Sequence, residues 1–190
     1  PEMKKFAYEQ MEMPEGEYYI PCCEDLMKME DALHFTQFAY GETACQVGYY
    51  RGFGTKLNAL EYHKCSEMLV EFEPCVDIIG HIWDIKEDRL DSSALKLFYI
   101  PQDTCVELFA TTLHFAPCMA TKAGVRQVVC QTATTNTPLH HPERSNKSGE
   151  NKFLYERNKW VLAHTEAAEA LPGAAVAIDG VNITLTPVEE

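Results

Sequence analysis

The segment Glu61-Tyr62-His63-Lys64-Cys65-Ser66-Glu67 carries three side chains that could do chemistry together. In an extended strand, residues two apart face the same side. Glu61 and His63 therefore point together, into the interior if their strand lines a small barrel. A turn over Lys64 to Ser66 would return Glu67 to that interior on the next strand. Two carboxylates and an imidazole are costly to bury without partners. A divalent metal would neutralise them and occupy their lone pairs. Mixed nitrogen and oxygen ligands suit zinc, manganese, iron, nickel or cobalt, and the donor set does not choose among these. Such a metal polarises a carbonyl, and a carboxylate beside it can move protons.

Other residues compete for roles around this segment. His114 sits between Leu113 and Phe115, after two threonines and before Pro117, a pattern expected at a barrel rim. It completes a candidate metal set of Glu61, His63, Glu67 and His114. Glu107, between Val106 and Leu108, either faces outward or acts with Glu67 as a general acid or base. Lys56 lies near the expected barrel mouth, as a catalytic or substrate-binding group. With Arg51 or Arg126 it could receive a substrate carboxylate or phosphate. Tyr62 is a further substrate-binding candidate. His81, in an apolar strand, reads as structural, and His34 as a packed or half-exposed residue of a helix. His140 and His141 read as solvated loop residues, and Arg157 and Lys159 as packing and surface contacts beside Trp160. Cys65 would need a partner that lowers its pKa before it could serve as a nucleophile. Neither a Gly-rich phosphate loop nor a Ser-His-Asp elbow occurs.

The elements that must hold these residues are mostly strands. The first twenty residues are polar and read as an arm or loop. Residues 22 to 38 read as a helix, with Pro21 in its first turn and Leu26, Met29 and Leu33 as its buried face. Short segments rich in β-branched and aromatic residues follow: 46–50, 57–62, 68–72, 76–85, 95–100, 105–109, 125–132, 159–164 and 175–185. Their spacing predicts an all-β barrel or sandwich. Asp179-Gly180, between Ala175–Ile178 and Val181–Leu185, predicts a two-residue hairpin. Residues 136 to 152 read as a long surface loop that could act as a lid. No domain linker stands out, so residues 1–190 are expected to form one domain, with residues 1–40 packed on the barrel.

Composition bounds the partners. The chain has 190 residues, 46% hydrophobic and 11% aromatic, which is enough apolar material for a core. No apolar run approaches the roughly 20 residues of a membrane-spanning helix. A net charge of -13 repels nucleic acid and anionic membranes, so neither is an expected partner and a small molecule is. The eight cysteines lie mostly in hydrophobic stretches without CxxC spacing, which argues against a zinc knuckle and for reduced thiols. With no visible signal peptide, the expected location is the cytoplasm.

The spacing Glu61-x-His63-xxx-Glu67, with Gly80 further on, resembles the first motif of cupins, whose usual form is His-x-His, then Glu, then Gly. Glu61 stands in place of the first histidine. Ile100-Pro101-Gln102-Asp103 is similar to the opening of the second cupin motif, with Val106 where its histidine is usual. Thr112-Leu113-His114-Phe115-Ala116-Pro117 resembles a segment of ureidoglycolate lyases, which are cupin-like barrels. Over most of its length the chain resembles a functionally uncharacterised bacterial family. The segments Lys56–His63, Ala110–His114, Thr135–Pro138 and Arg157–Trp160 carry that likeness. The resemblance implies a mainly β, cupin-like (double-stranded β-helix, or jelly-roll) barrel with an N-terminal helix and a divalent metal. It implies an enzyme acting on a small sugar, sugar phosphate or hydroxy acid, as an isomerase or epimerase in carbohydrate metabolism. A lyase of the ureidoglycolate type and a non-catalytic metabolite-binding barrel are the alternatives it leaves open. Cupin-like proteins are often dimers, so a homodimer is the expected assembly.

Overall fold

The computed structural model describes residues 1–13, 15–142 and 148–189. Helices α1 (Glu2–Gln10), α2 (Glu24–Met27) and α3 (Glu30–Tyr40) lie near the N-terminus. The strands, in chain order, are β1 (Glu17–Ile20), β2 (Cys45–Gly52), β3 (Ala59–Tyr62), β4 (Glu67–Glu71), β5 (Cys75–His81), β6 (Leu90–Asp91) and β7 (Lys96–Ile100). They continue with β8 (Thr104–Leu108), β9 (Thr112–Leu113), β10 (Cys118–Met119), β11 (Val125–Thr132), β12 (Leu154–Glu156), β13 (Lys159–His164) and β14 (Ala175–Asp179).

One sheet runs β1-β2-β11-β4-β8, antiparallel throughout. A second wall is assembled from β10-β5-β7, with β9 on β5, and from β12-β13-β14-β6, with β3 on β13. An antiparallel bridge between Glu61 and His114 joins these two parts of the wall. The fold is thus mainly β, as the spacing of short strands predicts, with curled sheets around an interior.

Strand alternation sorts the residues into layers. On the first sheet, Val47, Tyr49, Met68, Val128 and Cys130 turn outward. They pack against Ala7, Met11, Leu26 and Ala32 of the helical segment. On the second wall, Leu60, Tyr62, Ile78, Leu113 and Leu162 form a core with Phe153 and Ile178. The opposite, inward-turned residues are unusually polar: Glu61, Glu67, Glu71, Asp77, Gln127 and Gln131 are all buried. Two apolar layers therefore enclose an interior where these polar groups lie among smaller apolar clusters, Leu69 with Leu108 and Val129 and Tyr50 with Cys75 and Val125.

Three local expectations are corrected. The first twenty residues hold α1 and β1 rather than an arm, because Ala7 and Met11 bury on the sheet and β1 pairs with β2. The helix expected over 22–38 is two helices, and Pro21 precedes both. Met29 is extended (ψ 140°) at the break, and Leu33 is exposed while Ala32 faces the core. The hairpin at Asp179-Gly180 does not form. β14 instead runs parallel to β13 and β6, and Val181 donates its N–H to Ser92 Oγ at 2.9 Å. The following residues pair with the segment before β3, through Leu57 N–H to Ile183 O and Leu185 N–H to Thr55 O. Long-range partners thus outcompete the local turn.

Candidate metal centre

Backbone pairing sets the centre. Glu61 N–H donates to His114 O at 2.5 Å, and His114 N–H donates back to Glu61 O at 3.0 Å. The two residues are cross-strand neighbours although 53 positions separate them in the chain. His63 follows the end of β3, and Glu67 opens β4 after the turn between them. On the other side of β3, Val161 of β13 stands opposite Glu61 and Trp160 opposite Tyr62. The antiparallel register then carries Lys159 toward His63.

Both imidazoles are held by their Nδ1 atoms. His63 Nδ1 lies 2.7 Å from Asn158 O, and His114 Nδ1 lies 3.1 Å from Thr112 O. A carbonyl only accepts, so each Nδ1 is the protonated donor and each Nε2 turns inward. Asn158 adopts a left-handed conformation (φ 54°) that an asparagine tolerates, and its side chain accepts from Lys64 N–H at 2.8 Å. The turn that offers the carbonyl is therefore itself fixed. Glu61 Oε1 is 3.7 Å from His63 Nε2, and Glu61 Oε2 is 2.5 Å from Lys159 Nζ. Glu67 Oε2 accepts from His114 Nε2 at 2.8 Å and lies 3.2 Å from His63 Nε2.

Charge coupling dominates this buried cluster. Burial works against the ionised form of Glu61, but Lys159, His63 and His114 outweigh it and lower the pKa to about 2. Burial likewise opposes ionisation of Glu67, and His114 and His63 hold it well below the usual carboxylate range. For His63, burial disfavours the cation, yet Glu61 and Glu67 raise its pKa to about 10. His114 is raised for the same reason, chiefly by Glu67 against burial.

The donor set fits a metal ion. Ligand atoms of Glu61, His63 and His114 all lie within 4.8 Å of one another. That is the scale set by ligands about 2.0–2.2 Å from a shared ion. His63 Nε2 is buried and, among the described residues, makes no well-aligned hydrogen bond although Glu67 Oε2 is 3.2 Å away, so its lone pair is available to an ion. Both Nδ1–H groups bond to backbone carbonyls, the outer support usual for metal-binding histidines. Glu67 touches both imidazoles without belonging to the three-residue set.

A cavity of 170 Å³ opens beside the cluster, reached by Glu61, Glu67, His114 and Lys159. Tyr19, Phe115, Leu69 and Val129 give it apolar walls, while Tyr50, Gln127 and Asn136 add polar groups. Asn136 Nδ2 donates to Tyr19 OH at 2.9 Å and to Gln131 Oε1 at 3.1 Å, tying the start of the long loop to the interior. The expected loop over 136–152 includes 143–147, which lie outside the described residues.

Several other candidates stand elsewhere. Glu107 is exposed on β8, opposite Met68, because strand alternation turns it toward the outer face while Leu108 pairs with Glu67. Lys56 is exposed and lies 4.0 Å from Glu166. Arg126 faces the helical layer, bonded to Glu73 Oε1 at 2.8 Å and Met11 O at 3.2 Å. Tyr62 stacks on Trp160 with ring centroids 5.5 Å apart and donates to Glu150, on the face of β3 opposite Glu61. Arg51 stacks over Tyr18 at 4.9 Å. None of these five reaches the centre. Sequence reasoning missed Lys159, read as a surface contact. Its signal was the alternation Lys159, Val161, Ala163 on the face of β13 opposite Trp160 and Leu162. The cysteines are free thiols, and no helix among the described residues is long and apolar enough to cross a membrane.

The chain belongs to the family described as Domain of unknown function (DUF4867), whose model matches residues 2–183. No curated protein matches it. Among solved structures it is similar to hydroxypropylphosphonic acid epoxidase from S. wedmorenis, at 13% identity over 46% of this chain and 42% of that one, TM-score 0.33. It is similar to a cupin domain from Bordetella pertussis Tohama I, at 6% identity over 64% and 96% of the two chains, TM-score 0.33. A deletion mutant of Bacillus subtilis oxalate decarboxylase matches at 9% identity over 93% of this chain and 42% of that one, TM-score 0.39. The chain spans less than half the length of the epoxidase and of the decarboxylase. The fold itself is mainly β, with one antiparallel sheet facing a wall of mixed pairing.

Proposed function

We propose that this chain is a metal-dependent, cupin-type enzyme. Its substrate is a small sugar, sugar phosphate or hydroxy acid, and it moves a proton between neighbouring carbons as an isomerase or epimerase. One observation carries the reading. Two buried imidazoles, each held at Nδ1 by a backbone carbonyl, turn Nε2 toward Glu61 within the reach of one ion. Glu61, His63 and His114 would hold that ion, which when bound supplies Lewis acidity at a substrate carbonyl.

The remaining groups divide the other tasks. Glu67 borders both the cavity and the ligand set, so its carboxylate can take a proton from the carbon beside a carbonyl. Returning that proton to the former carbonyl carbon, while the neighbouring hydroxyl's proton passes to the former carbonyl oxygen, completes an isomerisation with no net gain or loss of atoms. Lys159 holds the second oxygen of Glu61, which leaves Oε1 facing the histidines. Leu69, Val129 and Phe115 limit water around the transferred proton.

The test is proton exchange in heavy water. Metal-loaded protein is incubated with pentoses, hexoses, their phosphates, uronates and 2-hydroxy acids, and deuterium at the carbon next to the carbonyl is followed by NMR. The expected result is exchange with one substrate group, reduced at least 100-fold in Glu67→Gln with bound metal retained. Binding without exchange in the wild type would instead assign a metabolite-binding barrel.

A further inference from the structure

The metal-cluster residues leave one buried charge unused. Lys159 has a side chain only 13% exposed, and among the described residues its ammonium pairs with a single carboxylate oxygen, Glu61 Oε2. An ammonium carries three donors, so two remain for another acceptor. Its position is set by β13 and by Phe115, whose ring centroid lies 5.8 Å from Nζ. It is the only lysine or arginine among the described residues lining the 170 Å³ cavity.

Lys159 stands at the cavity side of the metal cluster, while the buried Asp77 carboxylate adds its charge on the side of His114 and Glu67. Glu17 also lines the cavity, but it is exposed at the mouth, where solvent screens it. Ammonium donors left unmatched in a buried cavity are costly unless a ligand meets them. Around Lys159 stand neutral polar groups: Asn136 Oδ1 is buried with no hydrogen-bond partner among the described residues, and Tyr50 OH lies beside Glu17. These suit hydroxyls. The cavity is below the roughly 300 Å³ at which drug-sized ligands begin, so the ligand is a small metabolite.

We infer that the site is built for a monoanionic polyhydroxy or hydroxy carboxylate, with Lys159 as the residue that selects the charge. The ligand's carboxylate sits against the Lys159 ammonium and its hydroxyls against Tyr50 and Asn136. Neutral sugars, which leave Lys159 unmatched, bind less well. This rests on the reading of the cavity as the substrate site and narrows its substrate class.

Matched pairs of ligands test it by calorimetry: lactate against lactamide, and glucuronate against glucose. Each pair differs chiefly in the charge. Titrations are run on protein with a bound divalent ion and on chelated protein. The carboxylate of at least one pair is expected to bind at least tenfold more tightly than its neutral partner. Lys159→Met is expected to abolish the difference and Lys159→Arg to keep most of it. In wild-type protein with labelled lysine, the Lys159 resonance should shift with the carboxylate and not with the neutral partner, a readout that does not depend on the variants folding. Equal affinities within both pairs, no carboxylate binding at millimolar concentration, or full discrimination in a folded Lys159→Met protein would overturn the inference. Protein that takes up no metal yet keeps the carboxylate preference would remove the metal-dependent reading and leave the Lys159 assignment standing.

Discussion

Glu71 is a carboxylic acid with no exposed surface. One oxygen accepts from Gln127 Nε2 at 2.5 Å, and the Cys75 thiol lies beside the carboxyl. Burial, reinforced by the nearby Asp77 charge, pushes its pKa up to about 8 from the ordinary 4.5. Between those values the folded chain holds a proton that the unfolded chain has released. Stability therefore falls as pH rises through that window. Glutamine mimics the protonated acid and does not titrate. Glu71→Gln should match the wild type near pH 5 and exceed its stability near pH 8 by about 2–4 kcal/mol, seen in urea denaturation across that range. Identical pH slopes in the two proteins would refute a buried neutral acid at this position. At this scale the site was half legible. Glu61 and His63 share a face because a strand has a period of two, which needs no knowledge of distant pairing. Lys159 reaches the same centre only through the register of β13 on β3, a contact across nearly a hundred residues. Glu107 misled because a one-residue offset sends a strand side chain to the other face.

The elements explain why the cavity has its walls. β1 carries Tyr18 and Tyr19 to the cavity by pairing with β2, and that pairing depends on a glycine. A Cβ at Gly48 would stand 1.9 Å from Ile20 O and 2.6 Å from Pro21 C, both backbone atoms. The strand end must move to admit it. Gly48→Ala should cost at least about 2 kcal/mol and speed amide hydrogen exchange in Tyr18–Ile20 more than in β11. Unchanged exchange in β1 would show that the close approach does not hold the strand. Several strands were legible from β-branched and aromatic runs, and Val125–Thr132 has the predicted bounds. The N-terminal elements were not, because α1 owes its place to burial on a sheet formed by later residues. The Asp179-Gly180 turn failed for a related reason. Its signal is local, while Val181 to Leu185 finds partners at Ser92, Thr55 and Leu57.

The whole molecule places an unusual share of its buried polar groups between its two walls. Apolar layers lie outside each wall, and the space between the walls holds carboxylates, amides and imidazoles beside the smaller apolar clusters of Leu69, Leu108 and Val129 and of Tyr50, Cys75 and Val125. Such an interior is expensive unless its charges are matched, and the matching is concentrated at Glu61, His63, Glu67, His114 and Lys159. The mainly β class was legible because short strands and turns recur along the chain. The polar interior was legible only in fragments, since Gln127, Gln131 and Asp77 look like ordinary surface residues until the sheets close over them.

A cation that binds only the folded arrangement would turn this cost into stability. Metal content is therefore the measurement that bears on this centre without intermediate steps. The wild-type protein, dialysed against zinc, manganese, iron, nickel or cobalt and then freed of unbound ion, is analysed for metal per chain. The variant with His63→Gln and His114→Gln is treated in parallel, with circular dichroism as the check on folding. One equivalent of a divalent ion per wild-type chain is expected, and less than a tenth of that in the folded variant. A wild-type protein that stays metal-free, or a variant that keeps its ion, would contradict the metal assignment.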